Sequence, residues 1–328
     1  MSITIERFIC NMKNCFRHIA SLVFLAMLLC ILAACSYAES AQGQNLVTFT
    51  DSLGREVSVP KAPERVAALI GSFADVWILA GGNLCAAAED AWEDFALDLP
   101  DAVNIGGAHS PNLESLFTAN PDFVIASAST SSNVEMKETL ETAGITVAYF
   151  DVDNFEDYLA MLDICTDITG RKDLYERNGL EIKSQIEAIK QDFEEQAIPE
   201  NQRKVLLLRA HSGYVKAKGS AGTILGEMLA DLGCINIADS DETLLETLSV
   251  ESIIRQEPYR IFVVAMGNDP QKALDNLQKM MNETPVWGAL EAVAEGRLYL
   301  MDRKLFHNKP NADWAVSYEK LSELLCAE

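Results

Sequence analysis

Apolar residues in the first half of the chain gather into four short unbroken runs, RVAALI (65–70), LCAAA (84–88), DFVIAS (122–127) and TVAYF (146–150). Between them, SFADVWILAGG, NLESLFTANP and NVEMKETLETAG place their apolar residues at helical spacing and stop at Gly or Pro. Unbroken runs of this length fit strands covered on both faces, and strand alternating with helix predicts a doubly wound, Rossmann-like α/β sheet. Ahead of these runs, LVTFTDSLGREVSVP alternates apolar and polar residues around a glycine and predicts a hairpin. From residue 155 to 196 no strand signal occurs. Ile182, Ile186, Ile189 and Phe193 lie on one stripe of a long helix, with Pro199 as its stop. The alternation then restarts with KVLLLR, the helix GTILGEMLADLG, RIFVVA, a Met-rich helix and RLYLM, and a final helix is predicted from about Asn311. The pattern therefore predicts two α/β lobes, 46–170 and 200–328, joined by a single long helix over 171–199.

One short unit is written twice. SPNLESLFTANPDFVIA (110–126) and LSVESIIRQEPYRIFVV (248–264) coincide when Glu114 is set on Glu251: a polar N-cap candidate (Asn112, Ser249), Glu-Ser, two apolar residues, a spacer, Pro and a strand. Each Glu falls in the first turn of a short helix, where it complements the helix dipole. The same placement would also serve a docking surface, with one acid on each lobe for a partner with two matched basic pockets. The pattern alone leaves both readings open.

The 328 residues, 49% of them hydrophobic, suffice for two α/β cores. A net charge of −23 argues against nucleic acid or an anionic lipid surface as partner. The acidity is uneven. Arg203, Lys204, Arg209, Lys216 and Lys218 fall in a stretch (201–226) without one acid, and Arg303, Lys304 and Lys309 share DRKLFHNKP with a single Asp.

The first 34 residues read as a secretory signal: a basic segment (Arg7, Lys13, Arg17) precedes an apolar run from Ile19 to Ala34. That run is shorter than the roughly 20 residues needed to span a bilayer. It ends on Leu32-Ala33-Ala34-Cys35, which resembles a bacterial lipobox and makes Cys35 the expected lipidated residue, followed by a polar linker over 35–45. Of eight cysteines, Cys85, Cys165, Cys234 and Cys326 then remain in the body. None forms a CxxC pair or has metal-ligand spacing, so buried free thiols are expected; a disulfide between them stays open.

VTFTDSLGREVSVPKAPERVAAL matches D-x-x-G-R-x-V-x-x-P-x-x-P-x-R-V, and in this it resembles the iron-siderophore, cobalamin and haem substrate-binding proteins of bacterial ABC importers. The likeness continues through NIGGAHSPNLESLFTANPDFVIAS, the long helix, GTILGEMLADLGCINIAD and ETLSVESIIRQEPYRIFVV, and so spans nearly the whole mature chain. It departs at Leu232-Gly233-Cys234, where the family has Leu-Gly-Gly. The resemblance implies a ligand cleft between the lobes, limited hinge motion about the helix, and salt bridges from Glu114 and Glu251 to arginines of a permease dimer that works with its ATPase. It also implies a monomer attached to the outer face of the cytoplasmic membrane through its lipid alone, with a transported Fe(III) chelate and no cofactor.

In open α/β sheets ligands meet the loops at the carboxyl ends of the strands. Those loops supply Ser72, Phe73, Trp92, His109 and Ser127 from the first lobe, and His211, Tyr214, Lys216, Phe306 and His307 from the second, the residues 211–218 being read as loop. The basic rim of the second lobe favours an anionic ligand such as a ferric siderophore. His109 and His211 could clamp a haem iron, with Tyr214 as an oxygen ligand, and aromatic rings could stack on a flat ligand. Haem and cobalamin are therefore alternatives, as is a bare Zn or Mn ion. An enzyme is not expected: ALIGSFAD is not G-x-G-x-x-G, and AHSGY lacks the first glycine of a nucleophile elbow.

Overall fold

The computed structural model of the protein describes residues 45–267 and 269–327. The signal segment, Cys35 and the linker up to residue 44 lie outside the described residues. The hairpin expected first is a separate two-stranded sheet, β1 (Leu46–Thr50) with β2 (Glu56–Pro60). Its turn is organised by Asp51, whose side chain is fully buried and accepts from the amides of Leu53, Arg55 and Tyr149. Burial works against charge on Asp51, yet the hydrogen bonds from Arg55 and the Tyr149 amide outweigh it and hold the carboxyl below its usual range. Arg55 also donates to Val147 O and lies over the Tyr149 ring, while Gly54 takes φ 74° to complete the turn. The D-x-x-G-R run thus fastens the hairpin to the first sheet.

From Thr48 onward the chain is one compact unit containing two five-stranded sheets. The first comprises β3 (Val66–Ala68), β4 (Ala86–Ala87), β5 (Val103–Asn104), β6 (Phe123–Ser127) and β7 (Thr146–Phe150), ordered β5-β4-β3-β6-β7 and parallel throughout. Its helices are α1 (Gly71–Leu79), α2 (Asp90–Glu93), α3 (Leu113–Ala119), α4 (Ser131–Glu135) and α5 (Lys137–Thr142). NVEMKETLETAG is two short helices meeting at Met136, not one. Ala67, Leu69, Val124, Val147 and Tyr149 form a fully enclosed core with Leu116 and Leu140.

α6 (Phe155–Thr169) opens with a capping box between Asn154 and Asp157 and ends at Gly170, φ 74°. Then α7 (Lys172–Tyr175), a π turn (Glu176–Leu180) and α8 (Glu181–Glu195) follow without a break. Ile182, Ile186 and Phe193 of the expected stripe are buried. Lys183 of α8 pairs with Glu156 of α6, and one turn pair further Lys190 reaches Asp231 at 2.5 Å, so the helix is tied on both sides.

The second sheet runs β10 (Ile235–Asn236), β8 (Lys204–Ala210), β11 (Arg260–Ala265), β12 (Leu298–Met301), parallel, with β9 (Val215–Lys218) antiparallel on β8. Its helices are α9 (Ile224–Asp231), α10 (Glu242–Thr247), α11 (Val250–Gln256), α12 (Pro270–Glu283), α13 (Val286–Ala289), α14 (Glu291–Ala294), α15 (Arg303–Phe306) and α16 (Trp314–Cys326). The stretch 211–218 was expected as loop, but only its first half is a turn. Val-Lys-Ala-Lys has a period of two, which sends Val215 and Ala217 into the core and Lys216 and Lys218 to the opposite face. Arg260, almost fully buried, donates to Gln202 O, Leu325 O and Ala327 O and so anchors the end of α16.

Candidate ligand cleft and docking helices

At the carboxyl ends of β3 and β4, α1 and α2 approach so closely that a Cβ on Gly71 would lie 2.5 Å from the Ala91 amide. Only glycine fits there. This tight join places several expected ligand contacts in the core. Phe73 is fully buried with its ring edge-on to Phe150, and Phe306 is also buried, so neither can stack on a ligand. Ser72 is buried with its carbonyl engaged by Asn311, and Ser127 is buried with its hydroxyl bonded to Ser129 and Thr130. These four are structural. Trp92 is half-buried on α2, and His109 is exposed in the loop before α3. The nearby Asp90 has its carboxyl pushed up by burial, an effect that a hydrogen bond from Gly71 and the charge of His109 oppose.

The second lobe contributes a set of cations that no carboxylate neutralises. Arg209 sits opposite Lys216 across the β8–β9 hairpin, and Lys218 lies one period further along the same face. Among the described residues none of the three has an ion pair or hydrogen-bond partner for its charged group, nor does Lys309. They line or adjoin a cavity of about 520 Å³ bounded by Arg209, Lys216, Lys218, Gly222, Thr223 and Asp239. Burial pushes the Arg209, Lys218 and Lys309 pKa values down, and Arg209 adds repulsion at both lysines. His307 is held down to about 3, first by burial and then by Arg209, Arg303 and Lys309. Its imidazole is therefore neutral across the physiological range. At the hairpin tip His211 stacks on the exposed Tyr214, ring centroids 4.9 Å apart, and Lys216 lies over the same ring.

The lobes touch through specific polar contacts that the sequence pattern did not reveal. Arg303 Nη2 is 3.1 Å from Asp94 Oδ2 of the first lobe, while its Nη1 donates to Gly267 O. Buried Asn311, at φ 53°, donates from Nδ2 to both Ser72 O and Asp75 Oδ2 at 2.8 Å. A run of three basic residues had marked 302–310 as ligand-facing, yet Arg303 is occupied by the opposite lobe.

The repeated unit folds the same way twice. α3 and α11 each have seven residues, with Asn112 accepting from the Ser115 amide and Ser249 from the Ser252 amide. Both end on a left-handed residue, Asn120 and Glu257, before a buried proline and a central strand. Glu114 and Glu251 are exposed in the two first turns; Glu251 accepts from the Ser249 hydroxyl.

The four body cysteines differ from the uniform burial expected. Cys165 is enclosed and its thiol is pushed up to about 12 by burial, as is that of Cys234, but Cys326 is exposed at the end of α16. Among the described residues, no three His, Cys, Asp or Glu side chains are grouped to hold a metal ion.

Two lobes of mostly parallel sheet joined by one helix define a substrate-binding protein fold. Residues 66–305 match the model of the periplasmic binding protein family, and the chain belongs to that family of substrate-binding proteins. It is 25% identical over 302 residues to the Fe(3+)-citrate-binding protein YfmC of Bacillus subtilis, covering 87% of this chain and 89% of that one. The fold is shared with Staphylococcus aureus SirA complexed with staphyloferrin B (TM-score 0.64, 20% identity, 84% and 96% of the two chains). S. aureus IsdE complexed with heme is likewise similar (TM-score 0.67, 17% identity, 80% and 98% covered).

Proposed function

We propose that this chain is the solute-binding component of an ABC importer, which captures an iron chelate, a ferric siderophore in the broad sense, and delivers it to a membrane permease. The observation that carries this reading is the family match across both lobes, joined to the unneutralised cations at the carboxyl ends of the second sheet. The similarity to YfmC, an Fe(3+)-citrate-binding protein, supports iron chelate over corrinoid. Cys35 is the lipid attachment site that keeps the exported protein at the outer face of the cytoplasmic membrane. Glu114 and Glu251 grip the permease. His211, Tyr214, Lys216 and His307, with Trp92 and His109 opposite, are the side chains left to face a ligand, and the chemistry is binding with modest lobe closure, not catalysis.

The test is titration of the purified domain with ferric citrate, a ferric catecholate, a ferric hydroxamate, haem and cobalamin, read by absorbance and tryptophan quenching. Saturable quenching by a ferric chelate upholds the reading. A Soret shift lost in His211→Ala would move the assignment to haem, and no response to any of the five would overturn it.

A further inference from the structure

The reading above does not say how the chelate carries its charge or why this cleft would prefer one chelate over another. Four cations are relevant: Arg209, Lys216 and Lys218 on one face of the β8–β9 hairpin, and Lys309 in the loop that follows α15. None has a counter-ion within ion-pair distance among the described residues. Leaving like charges together, three of them partly desolvated, opposes folding unless a ligand supplies the missing negative charge. A first-lobe carboxylate that acts on these cations is Asp153, just past the carboxyl end of β7. It makes no side-chain hydrogen bond or ion pair either, and its Oδ2 comes within 3.9 Å of where a Cβ on Gly222 would stand, at the cavity wall. Asp153 and Asp151 both exert an attraction on Lys309, and Asp153 does so on Arg209. Asp153 is thus the first-lobe acid that acts on both Arg209 and Lys309, whereas Asp239, the second-lobe acid in the cavity wall, already accepts from the Ser220 amide.

The chemistry of the wall narrows the ligand further. Around the cations the cavity is lined by Ala217, Gly219, Ala221, Gly222, Thr223 and Leu245, with one acid, Asp239, and no aromatic ring. The exposed ring at the hairpin tip, Tyr214, already contacts both the His211 ring and the Lys216 ammonium. Small oxygen anions suit such a wall, and an arginine fork suits a carboxylate in particular. A catechol ring would meet no stacking surface, and a neutral hydroxamate complex would leave the cations uncompensated. A volume of about 520 Å³ is that of a pocket for a small molecule, not a macrocycle-sized slot.

We infer that the second lobe binds a ferric chelate built from carboxylates through Arg209, Lys216, Lys218 and Lys309, and that Asp153 of the first lobe is the carboxylate whose place it takes. This rests on the chelate reading. It assigns two residues, Arg209 and Asp153, opposite roles: one attracts the ligand, the other competes with it.

The experiment compares wild type with Arg209→Gln, Lys218→Gln and Asp153→Asn, each confirmed as folded by its thermal melt, in titrations with ferric citrate, ferric enterobactin and ferrichrome. Ferric citrate should bind most tightly, lose at least about 30-fold in Arg209→Gln and about 10-fold in Lys218→Gln, and gain several-fold in Asp153→Asn. Tight binding of ferrichrome or ferric enterobactin, unchanged in Arg209→Gln, would overturn the carboxylate assignment while the chelate reading stood. Weaker ferric citrate binding in Asp153→Asn would overturn the competing role of Asp153, leaving it as a lobe contact. Failure of all three chelates would bring down both the inference and the reading beneath it.

Discussion

Arg303 of the second lobe and Asp94 of the first form an ion pair at 3.1 Å, and the same guanidinium holds Gly267 O of its own lobe. The pair is partly exposed, so its contribution is modest, about 1 kcal/mol. Asp94→Asn should loosen lobe closure and raise the apparent Kd for the ligand by roughly two- to fivefold while leaving the melting temperature within about 2 °C. Small-angle scattering with a binding titration checks this. A scattering profile and an affinity both unchanged would mean that the contact plays no part in closure.

Asn311 presents a sharper dependence. It is buried, left-handed, and the donor to both Ser72 O and Asp75 Oδ2. Asn311→Ala removes both hydrogen bonds and keeps an unfavourable backbone, and should cost about 2–4 kcal/mol in chemical denaturation. Asn311→Gly relieves the backbone but not the lost bonds, so it should recover only about 1 kcal/mol of that. Full recovery in the glycine variant would show that the hydrogen bonds contribute nothing.

His307 predicts an acid sensitivity. Its folded pKa of about 3 lies below the ordinary 6.5, so between these values the unfolded chain holds a proton that the folded chain rejects. Stability from this group is complete above pH 6.5 and is lost progressively as pH falls toward 3. Denaturation at pH 7 and pH 4.5 should show wild type losing about 2–3 kcal/mol more than His307→Gln over that interval. Carboxylates raised by burial, such as Asp75 and Asp90, bias the profile the other way in both proteins, so the difference between them is the informative quantity. Parallel profiles would contradict a buried neutral imidazole.

Glu114→Ala with Glu251→Ala should abolish ligand-stimulated ATPase activity of the reconstituted permease while changing ligand affinity less than about twofold, because both acids stand on exposed helix starts and neither lines the cation-bounded cavity. Each single variant should be intermediate. A matching fall in affinity would return the two glutamates to a purely helix-capping role.

Much of the architecture was legible because it is written in periodicity. Unbroken apolar runs gave the parallel strands, the Ile182–Phe193 stripe gave the joining helix, and the Glu114/Glu251 repeat anticipated two helices with the same cap and the same left-handed stop. The cleft was legible only in part. A loop position does not state which way a side chain points, and the close join at Gly71 turns Ser72 and Phe73 inward, against what their place after a strand suggested. β9 was missed because four residues with two lysines carry a weak strand signal; only the alternation of Val215 and Ala217 with Lys216 and Lys218 could have shown it. Arg209 belonged to a noticed basic stretch, but its pairing with Lys216 is a property of antiparallel register. Arg303–Asp94 and Asn311–Asp75 join residues over two hundred positions apart, which no local pattern encodes.

The π turn at Glu176–Leu180 has a meaning for how freely the joining helix could change length. Elsewhere in an α-helix, deleting one residue rotates everything beyond it by about 100° and would swing Ile182, Ile186 and Phe193 off their packing face. A π turn already holds one residue in surplus, so a deletion confined to it restores ordinary winding and leaves both flanks in phase. Gly179, where a Cβ would stand 3.2 Å from the Leu162 side chain, lies inside that turn and lets it pack closely on α6. The angle at which one lobe faces the other is thereby insulated from a one-residue deletion at this turn.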